Sequence, residues 1–335
     1  MKTLKQSINN FQNFKIMVIG DLILDKYVYA KTSRISREAP VLILSEDSVE
    51  HKLGGAGNTI NNLNELGAKV GVFSIIGNDE EGKNIIKLLK NRKIDTSNII
   101  KKNFFKTPLK TRFLAGEENA KKQQIFRLDR EKFYKGRKKE FLINIKQKIE
   151  NYDAVIISDY GYSVFTPSDF KKLKQDIKNL PPIFVDSRFN LSKFKNITSA
   201  TPNESELINS SNLNYTTDII KKGINMSNKM KMKALLITRG SKGMILIESG
   251  KSPKNIPIFG DNNIVDVTGA GDTVISVYTL SWLSSGDFFK AAVIANLAGA
   301  LTVMKMGAST VNRKELLEGL KQHEDIIFKT ITERG

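Results

Sequence analysis

The sequence predicts an α/β fold, a three-layer α/β/α sandwich with a mainly parallel central sheet and a small β lid. Short apolar runs bounded by polar or glycine residues alternate along the chain with segments of helical periodicity. This alternation is typical of parallel strands whose crossover helices cover both faces of a sheet. The segments 27–52 and 104–129 interrupt it with strand-like patterns that no long helix separates. We expect these two segments to form the lid.

The central sheet is predicted from five apolar runs that are typical of buried strands, at residues 16–20, 70–76, 154–158, 183–186 and 235–238. Helical patterns lie between them, for example at 82–91 and 168–179. Polar residues follow several of the strands: Asp21, Asp25, Asp159, Asp186, Arg188, Asn203 and Glu206. Because ligands of such folds bind beyond the carboxyl ends of the strands, we expect the functional site there.

The composition limits the chemistry that the chain can perform. The 335 residues include no cysteine and only two histidines, His51 and His323. Disulfides, thiol nucleophiles and thiolate metal sites are therefore excluded, and a centre built from several histidines is excluded as well. We expect any group that accepts a proton during catalysis to be a carboxylate.

The chain is basic, with 53 lysines and arginines against 35 acidic residues and a formal net charge of +18. The lysines are spread over the whole sequence, and no run interleaves them with aromatic residues as RNA-binding segments do. We therefore expect small anionic substrates, which a basic cleft attracts, rather than nucleic acid.

No segment has the pattern of a membrane span or a signal peptide. The longest apolar stretch, residues 291–304, is interrupted by Asn296 and is too short to cross a bilayer, and residues 1–14 are polar. There is no repeat and no low-complexity linker. We expect a cytoplasmic protein that does not bind membranes and forms one domain over residues 1–335, including the lid.

The most informative motif is DVTGAGDT at residues 266–273, which precedes a long apolar run. Gly269, Ala270 and Gly271 allow a backbone to approach a ligand closely, and the first N–H groups of the following helix form a cradle for anions. Asp272 is placed to accept a proton from a substrate hydroxyl. The alternative is a glycine turn followed by a capping aspartate.

Three further motifs contain polar groups suited to sugar or nucleotide binding. Residues 54–58, GGAGN, open a predicted helix and offer close backbone approach and the Asn58 amide to a polyol, unless they form a simple glycine turn. Residues 201–206, TPNESE, are typical of a helix cap, but Asn203 and Glu206 share one helical face and could hold Mg²⁺ waters. Residues 238–243 predict a strand–turn–strand, which could be an ordinary hairpin.

In their order along the chain these motifs resemble those of the ribokinase-like (PfkB) sugar kinases over about residues 12–320. The segments 32–36, 38–41, 127–129, 158–160 and 307–311 are similar to the heptose-7-phosphate kinases of that family. The chain departs from this subgroup at 161–163, where GYS replaces Ala-Lys-Gly, and at 187–188, where Ser-Arg replaces Pro-Lys. Residues 116–122 are also longer and more charged than expected.

The resemblance implies a ribokinase-like fold and an ATP-dependent kinase that uses Mg²⁺. The γ-phosphoryl group of ATP would be transferred to a sugar hydroxyl. The resemblance to the subgroup favours the anomeric 1-OH of D-glycero-β-D-manno-heptose 7-phosphate, in lipopolysaccharide-core synthesis. The alternatives are another sugar or sugar phosphate, such as ribose, a fructose phosphate or 2-keto-3-deoxygluconate, and a non-catalytic binding protein. Some relatives fuse the kinase to a nucleotidyltransferase, and we expect no such segment in these 335 residues.

Each predicted site residue then has a role. Asp272 is the base, with a near-normal pKa of about 4, and the N–H groups of Gly269, Ala270 and Gly271 hold the transferring group. The predicted sugar-binding residues are Asp21, Asp25, Gly54, Gly55, Asn58, Asp129 and Asp159. Candidates for binding an acceptor phosphate are Arg34, Lys110, Arg112, Arg127 and Arg188. Predicted ATP-binding residues are Asn203, Glu206, Thr238, Gly240, Gly243 and Asn296, with Glu206 reaching Mg²⁺ through water.

By the same resemblance, a monovalent cation, K⁺, would be bound by Asp266, Thr268, Gly307 and Ser309. The lid strands have edges that a second subunit could cover, so we expect a homodimer formed through the lid.

Overall fold

The structure, a computed structural model, describes residues 2–116, 122–210, 218–259, 265–307 and 309–333. The strands of these ranges are β1 (Lys15–Gly20), β2 (Leu22–Ile35), β3 (Leu42–Gly55), β4 (Lys69–Gly77), β5 (Ile99–Lys102), β6 (Leu109–Gly116), β7 (Gln123–Arg130), β8 (Ala154–Asp159), β9 (Ile183–Ser187), β10 (Ser199–Ala200), β11 (Ala234–Thr238), β12 (Met244–Glu248) and β13 (Lys254–Ile256). The α-helices are α1 (Lys2–Asn9), α2 (Ala56–Glu65), α3 (Glu80–Asn91), α4 (Lys139–Lys148), α5 (Pro167–Asp176), α6 (Glu204–Ser210), α7 (Ile219–Met230), α8 (Ala270–Ser285), α9 (Phe288–Val303), α10 (Arg313–Gln322) and α11 (Glu324–Glu333).

The larger sheet of the described chain has the strand order β13-β12-β11-β10-β9-β8-β1-β4-β5. The strands from β11 to β5 in this order pair in parallel, and β12 and β13 are added antiparallel at one edge. All five predicted strands are present within two residues of their expected ends. The helix predicted at 168–179 ends earlier, at Asp176.

The sheet is buried on both faces because its strands carry apolar side chains at successive positions. In β1, Ile16 and Val18 belong to the core beneath α1, α2, α8, α9 and α10, whereas Met17 and Ile19 belong to a second core beneath α4, α5 and α7. Side chains of a strand alternate between faces, so a continuous apolar run fills both cores. The predicted three-layer sandwich is confirmed.

Beside it, the four strands β3-β2-β6-β7 form a smaller sheet, which is the lid. The β2–β3 and β6–β7 pairs are antiparallel and the β2–β6 pair is parallel. β2 and β3 have 14 residues each and extend beyond the predicted lid segment 27–52, since β2 begins at Leu22 and β3 ends at Gly55. Leu22 to Leu24 are buried and continue the extended chain directly from the main sheet, so no turn precedes β2.

Some predictions concern residues outside the described ranges. These are 117–121, which belong to the second lid segment and to the unusually charged segment 116–122, and Ala308 of the 307–311 motif. Among the helices of the described chain, none combines the length and the apolar character needed to cross a bilayer.

Candidate active site

The DVTGAGDT motif forms the turn before α8 and the first turn of that helix. Gly269 precedes the helix with φ of +83°, a left-handed conformation that glycine adopts without strain. A Cβ placed on Gly271 would meet no atom within 4 Å, so the backbone here is open to a ligand. The N–H of Ala270 already donates to the carbonyl of Val267 at 3.3 Å. Of the three predicted N–H donors, that of Ala270 therefore already has a partner within the protein, and those of Gly269 and Gly271 are better suited to donate to a ligand.

Asp272 lies in the first turn of α8 with 4% of its surface exposed. Its Oδ2 accepts a hydrogen bond from Asn58 Nδ2 at 2.9 Å, and its Oδ1 accepts one from Thr59 Oγ1 at 2.8 Å. The Tyr160 hydroxyl donates to both oxygens, at 3.1 and 3.2 Å. α2 thus presents two short donors to the carboxylate, and the loop after β8 presents a longer, shared one.

Burial raises the pKa of Asp272 to about 6, and the nearby charge of Asp25 acts in the same direction. The three hydrogen bonds lower the pKa but do not compensate for the loss of water. The expectation of a pKa near 4 was therefore wrong, because the motif gives no measure of burial. A carboxyl with a pKa of about 6 is largely ionised at neutral pH and is a stronger base than an exposed aspartate.

Asp21, at the end of β1, holds the loop that follows β8. Its carboxylate accepts the backbone N–H groups of Tyr160 at 2.9 Å, Tyr162 at 3.0 Å and Val164 at 3.1 Å. Burial, followed by the charge of Asp159, raises the pKa of Asp21 to about 7. Three of its acceptor positions are thus used by the protein, which leaves it little capacity for a sugar hydroxyl.

Asp159 is likewise engaged at the end of β8. It accepts hydrogen bonds from Ser187 Oγ at 2.7 Å, from Asn190 Nδ2 at 3.1 Å and from the N–H of Gly161 at 3.0 Å. It therefore joins the turns that follow β8 and β9.

The lid presents a row of alternating charges to the site. Strand pairing aligns Lys52 of β3 with Asp25 of β2, Asp25 with Lys110 of β6, and Lys110 with Asp129 of β7. Residues directly opposite one another in a sheet share a face, so these side chains lie side by side. Such a row of charged side chains is suited to binding a polar, anionic acceptor.

Two of the predicted phosphate ligands are paired with carboxylates. Arg112 Nη1 lies 2.6 Å from Asp25 Oδ1 in a buried ion pair, and Arg127 Nε lies 2.9 Å from Asp129 Oδ1. Lys110 is different: within the described ranges, no carboxylate oxygen lies within 4.0 Å of its Nζ, which stands 5.4 Å from the centre of the Tyr160 ring.

Arg188 follows β9, is exposed, and lies close enough to Lys110 for its charge to lower the pKa of that ammonium group, although burial is the larger cause. Arg34 is not part of this arrangement. It lies nine residues beyond Asp25 on β2, roughly 30 Å along the strand, so its role as a ligand of the acceptor phosphate stays a prediction that this arrangement does not support.

The GGAGN motif brings β3 and α2 up to Asp25 and Asp272. A Cβ on Gly54 would lie 2.5 Å from Asp25 Oδ2, and Gly55 has φ of +58°, so both positions require glycine. The Oδ1 atom of Asn58 is buried and, in the described structure, has no hydrogen-bond partner. That acceptor is available to a substrate hydroxyl.

Asn203 and Glu206 form a helix cap, which was one of the two interpretations of the TPNESE motif. The N–H of Asn203 donates to Glu206 Oε2 and the N–H of Glu206 donates to Asn203 Oδ1, both at 2.9 Å. Burial raises the pKa of Glu206, and burial together with the charge of Glu206 raises that of Asp186. Two carboxylates that disfavour each other's ionisation are suitable oxygen ligands for a divalent cation or its waters. In the part of the chain that is described, no cluster of three or more metal-ligating residues occurs.

Four of the six predicted ATP-binding residues line one pocket of ≈ 670 Å³ that opens to solvent beside the first turn of α8, whereas Asn203 and Glu206 are not among its lining residues. Thr238, Gly240, Gly243 and Asn296 contribute to its wall, as do Ala270 and Gly271 of the anion cradle. The remainder of the wall is mainly apolar, from Met244, Ile258, Val274 and Val303. An apolar slot that ends at a helix N-terminus suits a nucleobase with its phosphates directed to the helix.

The predicted cation residues are also brought together. Asp266 accepts the N–H of Thr268 through Oδ1 and the N–H of Gly307 through Oδ2, both at 2.9 Å. The Ser309 hydroxyl donates to the carbonyl of Met306 at 2.7 Å. The Asp266–Gly307 hydrogen bond brings residues 266–268 against Gly307, next to the turn that precedes α8.

Four residues of the site were missed by the sequence reasoning as ligands or partners: Lys52, Thr59, Tyr160 and Asp186. Thr59 directly follows the GGAGN motif on the same predicted helix, so the sequence could have suggested it as a further polar group of the site. Tyr160 and Asp186 stand at strand ends, where the ligand site was expected. The spacing of the motifs did not indicate that Tyr160 bonds to Asp272 or that the charge of Glu206 acts on Asp186.

Comparison with known proteins gives consistent results for sequence and for structure. Residues 13–315 match the profile of the pfkB family carbohydrate kinases. The chain is 34% identical over 327 residues to the bifunctional protein HldE of Haemophilus influenzae (strain PittEE), an alignment that covers 96% of this chain and 67% of that protein. It is 32% identical to the HldE of Campylobacter curvus (strain 525.92), over 94% of this chain and 67% of that protein.

Two solved structures illustrate the similarity of fold. The ribokinase of Arabidopsis thaliana, complexed with ribose and ATP, superposes with a TM-score of 0.69 at 19% identity, covering 92% of this chain and 99% of that one. Phosphofructokinase-2 of Escherichia coli, in complex with potassium, superposes with a TM-score of 0.72 at 15% identity, covering 93% and 99%. At such identities the likeness concerns the fold alone.

Proposed function

The chain belongs to the pfkB family of carbohydrate kinases, and from that premise we propose that it phosphorylates the anomeric 1-OH of D-glycero-β-D-manno-heptose 7-phosphate. It is an ATP-dependent carbohydrate kinase, as the resemblance of its motifs predicted. The choice of acceptor rests on the segments that resemble the heptose-7-phosphate kinases and on the cations of the lid.

The observation that carries the proposed chemistry is the buried carboxylate at the N-terminus of α8. Asp272 takes the proton of the attacking hydroxyl, and Asn58 and Thr59 fix the direction of its oxygens. The N–H groups of Gly269 and Gly271, with that of Ala270 once its bond to Val267 yields, hold the transferring phosphoryl group. Phosphoryl transfer needs mainly positioning and charge stabilisation, which helix N-terminal donors supply.

The pocket beside α8 would hold ATP, with Thr238, Gly240, Gly243 and Asn296 around the nucleoside. The carboxylates of Asp186 and Glu206 would hold Mg²⁺, Glu206 through water, and the ion would neutralise charge on the phosphates. Residues Asp266, Thr268, Gly307 and Ser309 would surround a K⁺ ion next to the anion cradle.

The acceptor would lie between the lid and α2. Its hydroxyls would contact Asn58 Oδ1, Asp25, Asp129 and the backbone of Gly54 and Gly55. Its phosphate would lie between Lys110 and Arg188, since Arg112 and Arg127 are already paired with carboxylates. A buried ammonium group without a carboxylate partner is unfavourable unless an anion binds beside it.

We further propose that residues 1–335 act as one kinase unit, that it works in the cytoplasm, where ATP is supplied, and that it dimerises through the lid. Its small-molecule partners would be the sugar phosphate and ATP, with no nucleic acid and no membrane.

The test is a coupled assay of ADP release with heptose 7-phosphate, fructose phosphates, ribose and 2-keto-3-deoxygluconate as acceptors. We expect the highest kcat/KM with heptose 7-phosphate. A higher value with another acceptor would reassign the substrate within the family, and the absence of sugar-dependent turnover with the whole panel would contradict the acceptor classes considered.

The matched variant in this assay is Asp272→Asn, which preserves shape and removes the base. We expect kcat to fall by about 10² to 10⁴, as for loss of a general base, with ATP binding retained. A near wild-type kcat would refute the role of Asp272.

A further inference from the structure

Tyr160 is a residue of the loop after β8 whose side chain reaches the proposed catalytic base. Its backbone N–H is held by Asp21 Oδ2 at 2.9 Å, and its ring lies beneath the ammonium group of Lys110. Both contacts fix the phenol relative to the lid and to the main sheet. Together they bring the hydroxyl of Tyr160 next to the carboxylate of Asp272.

The hydroxyl is shared between the two oxygens of Asp272, at 3.1 and 3.2 Å. Hydrogen bonds between a hydroxyl and a carboxylate are usually 2.5 to 3.0 Å long, so both contacts are long. Asn58 and Thr59, in contrast, donate to separate oxygens at 2.9 and 2.8 Å from the α2 side. The Tyr160 contact is the weakest of the three and the one most easily exchanged.

An acceptor hydroxyl must donate to this same carboxylate before it can attack. On the side of α2, the carboxylate of Asp272 already accepts the two short hydrogen bonds from Asn58 and Thr59. A third donor fits where the Tyr160 hydroxyl now lies, between the two carboxylate oxygens. We propose that the Tyr160 hydroxyl is a positioning group that occupies the place of the attacking hydroxyl when no acceptor is bound, keeps water from Asp272 and yields to the sugar. The inference rests on the proposed kinase function.

The groups that face Asp272 come from several elements. Asn58 and Thr59 of α2 and Tyr160 donate to it, whereas the carboxylates of Asp25 on β2 and Asp186 on β9 lie near it. Asp25 is paired with Arg112, and Lys110 is directed at the Tyr160 ring. Burial and the Asp272 charge raise the pKa of Tyr160 well above 10, so its hydroxyl remains a donor at every pH at which the enzyme works.

The first experiment needs no substrate. The titration of Asp272 is followed by carboxyl ¹³C NMR in the ligand-free chain and in Tyr160→Phe, with Asp272→Asn to assign the signal. Loss of one hydrogen bond to the ionised form should move the midpoint upward from about 6 by roughly 0.5 to 1 pH unit. An unchanged midpoint would overturn the inference.

The second experiment measures ADP release without acceptor. Removing the hydroxyl leaves space for a water next to the carboxylate, and we expect acceptor-independent hydrolysis of ATP to rise by about 3- to 10-fold. An unchanged rate would equally contradict the proposal.

Tyr162→Phe is the matched control. Tyr162 lies in the same loop and is also buried, but its hydroxyl donates to Glu131 at 2.9 Å rather than to Asp272. It should alter neither the midpoint nor the hydrolysis rate, and equal effects in both variants would indicate a merely structural role. If the wild-type chain phosphorylates none of the sugars, the proposed function fails, while the NMR titration still decides whether Tyr160 controls Asp272.

Discussion

At the scale of single residues, Lys110 is the side chain that best connects structure to acceptor choice. It lies in the charged row of the lid with 8% of its surface exposed, and burial lowers its pKa. Asp25 and Asp129, its neighbours in the row, pair with arginines instead. The lack of an ion pair at Lys110 in the described chain supports its proposed role in binding an acceptor phosphate.

We predict that Lys110→Met raises KM for a phosphorylated acceptor by about 10- to 100-fold, the value of one hydrogen bond to a charged group, and leaves KM for ATP unchanged. Steady-state kinetics with both substrates varied would measure this. Lys26→Met is the control, because Lys26 neighbours Asp25 on β2 but points to the opposite face. An equal KM in Lys110→Met and the wild type would exclude a phosphate contact at this position.

The residue scale also shows what sequence reasoning could reach. Asp272 and Asn58 were singled out because glycine-rich motifs mark them, and Asp266 because its motif resembles that of a known kinase family. The pKa of Asp272 and the contact from Tyr160 depend on burial and on two loops distant in sequence, and neither is encoded in a local motif.

At the scale of elements, the outer face of the lid carries exposed apolar side chains on β7. Phe126 is 50% exposed and Leu128 62%, and Phe126 stacks on Phe113 with ring centres 4.3 Å apart. β7 is an edge strand of the described lid sheet, and exposed apolar residues on such an edge favour association with another chain. This supports a dimer formed through the lid.

We predict that Phe126→Glu converts the protein from a dimer to a monomer of 37.6 kDa. We expect dissociation because the introduced carboxylate would be buried in the interface without a partner. Sedimentation at micromolar concentrations would detect the change in mass. Phe328→Glu, at an equally exposed phenylalanine of α11, should leave the mass unchanged. A wild-type chain that sediments as a monomer would contradict the proposal itself.

The elements of the main sheet were predictable because buried parallel strands are short, apolar and bounded by polar residues. The lid strands were harder to delimit. β2 and β3 carry mixed, partly exposed side chains over 14 residues, and their length follows from pairing with each other, which a single segment does not reveal.

At the scale of the whole molecule, the candidate active site contains four buried carboxyl groups whose ionisation is disfavoured by the fold. Burial raises the pKa of Asp21 to about 7 and of Asp272 to about 6, and raises those of Asp186 and Glu206 as well. In the unfolded chain these carboxyls titrate near 4. Between about pH 5 and pH 7 these four carboxyls therefore bind more protons in the folded chain than in the unfolded chain.

It follows that the free energy of unfolding should fall as pH rises from 5 to 7. His51 opposes the trend, because burial lowers its pKa. Hydrogen bonds lower the pKa of other carboxyls, among them Asp79 and Asp266, but above pH 5 these are largely ionised in both the folded and the unfolded chain and add little to the slope. Urea denaturation at pH 5, 6 and 7 in the absence of nucleotide would measure the slope. Greater stability at pH 7 than at pH 5 would show that these carboxyls are not raised together.

The alternation of the lid strands has a consequence for how this enzyme can change over evolution. On β7, Arg127 and Asp129 lie on the face that carries the charged row and the proposed acceptor site, while the intervening Leu128 and the preceding Phe126 lie on the opposite, outer face. Inserting or deleting one residue would exchange the two sets, directing charge to the outer surface and apolar rings to the sugar. New acceptor preferences are therefore more accessible through substitutions at alternate positions than through a change of one residue in the length of the strand.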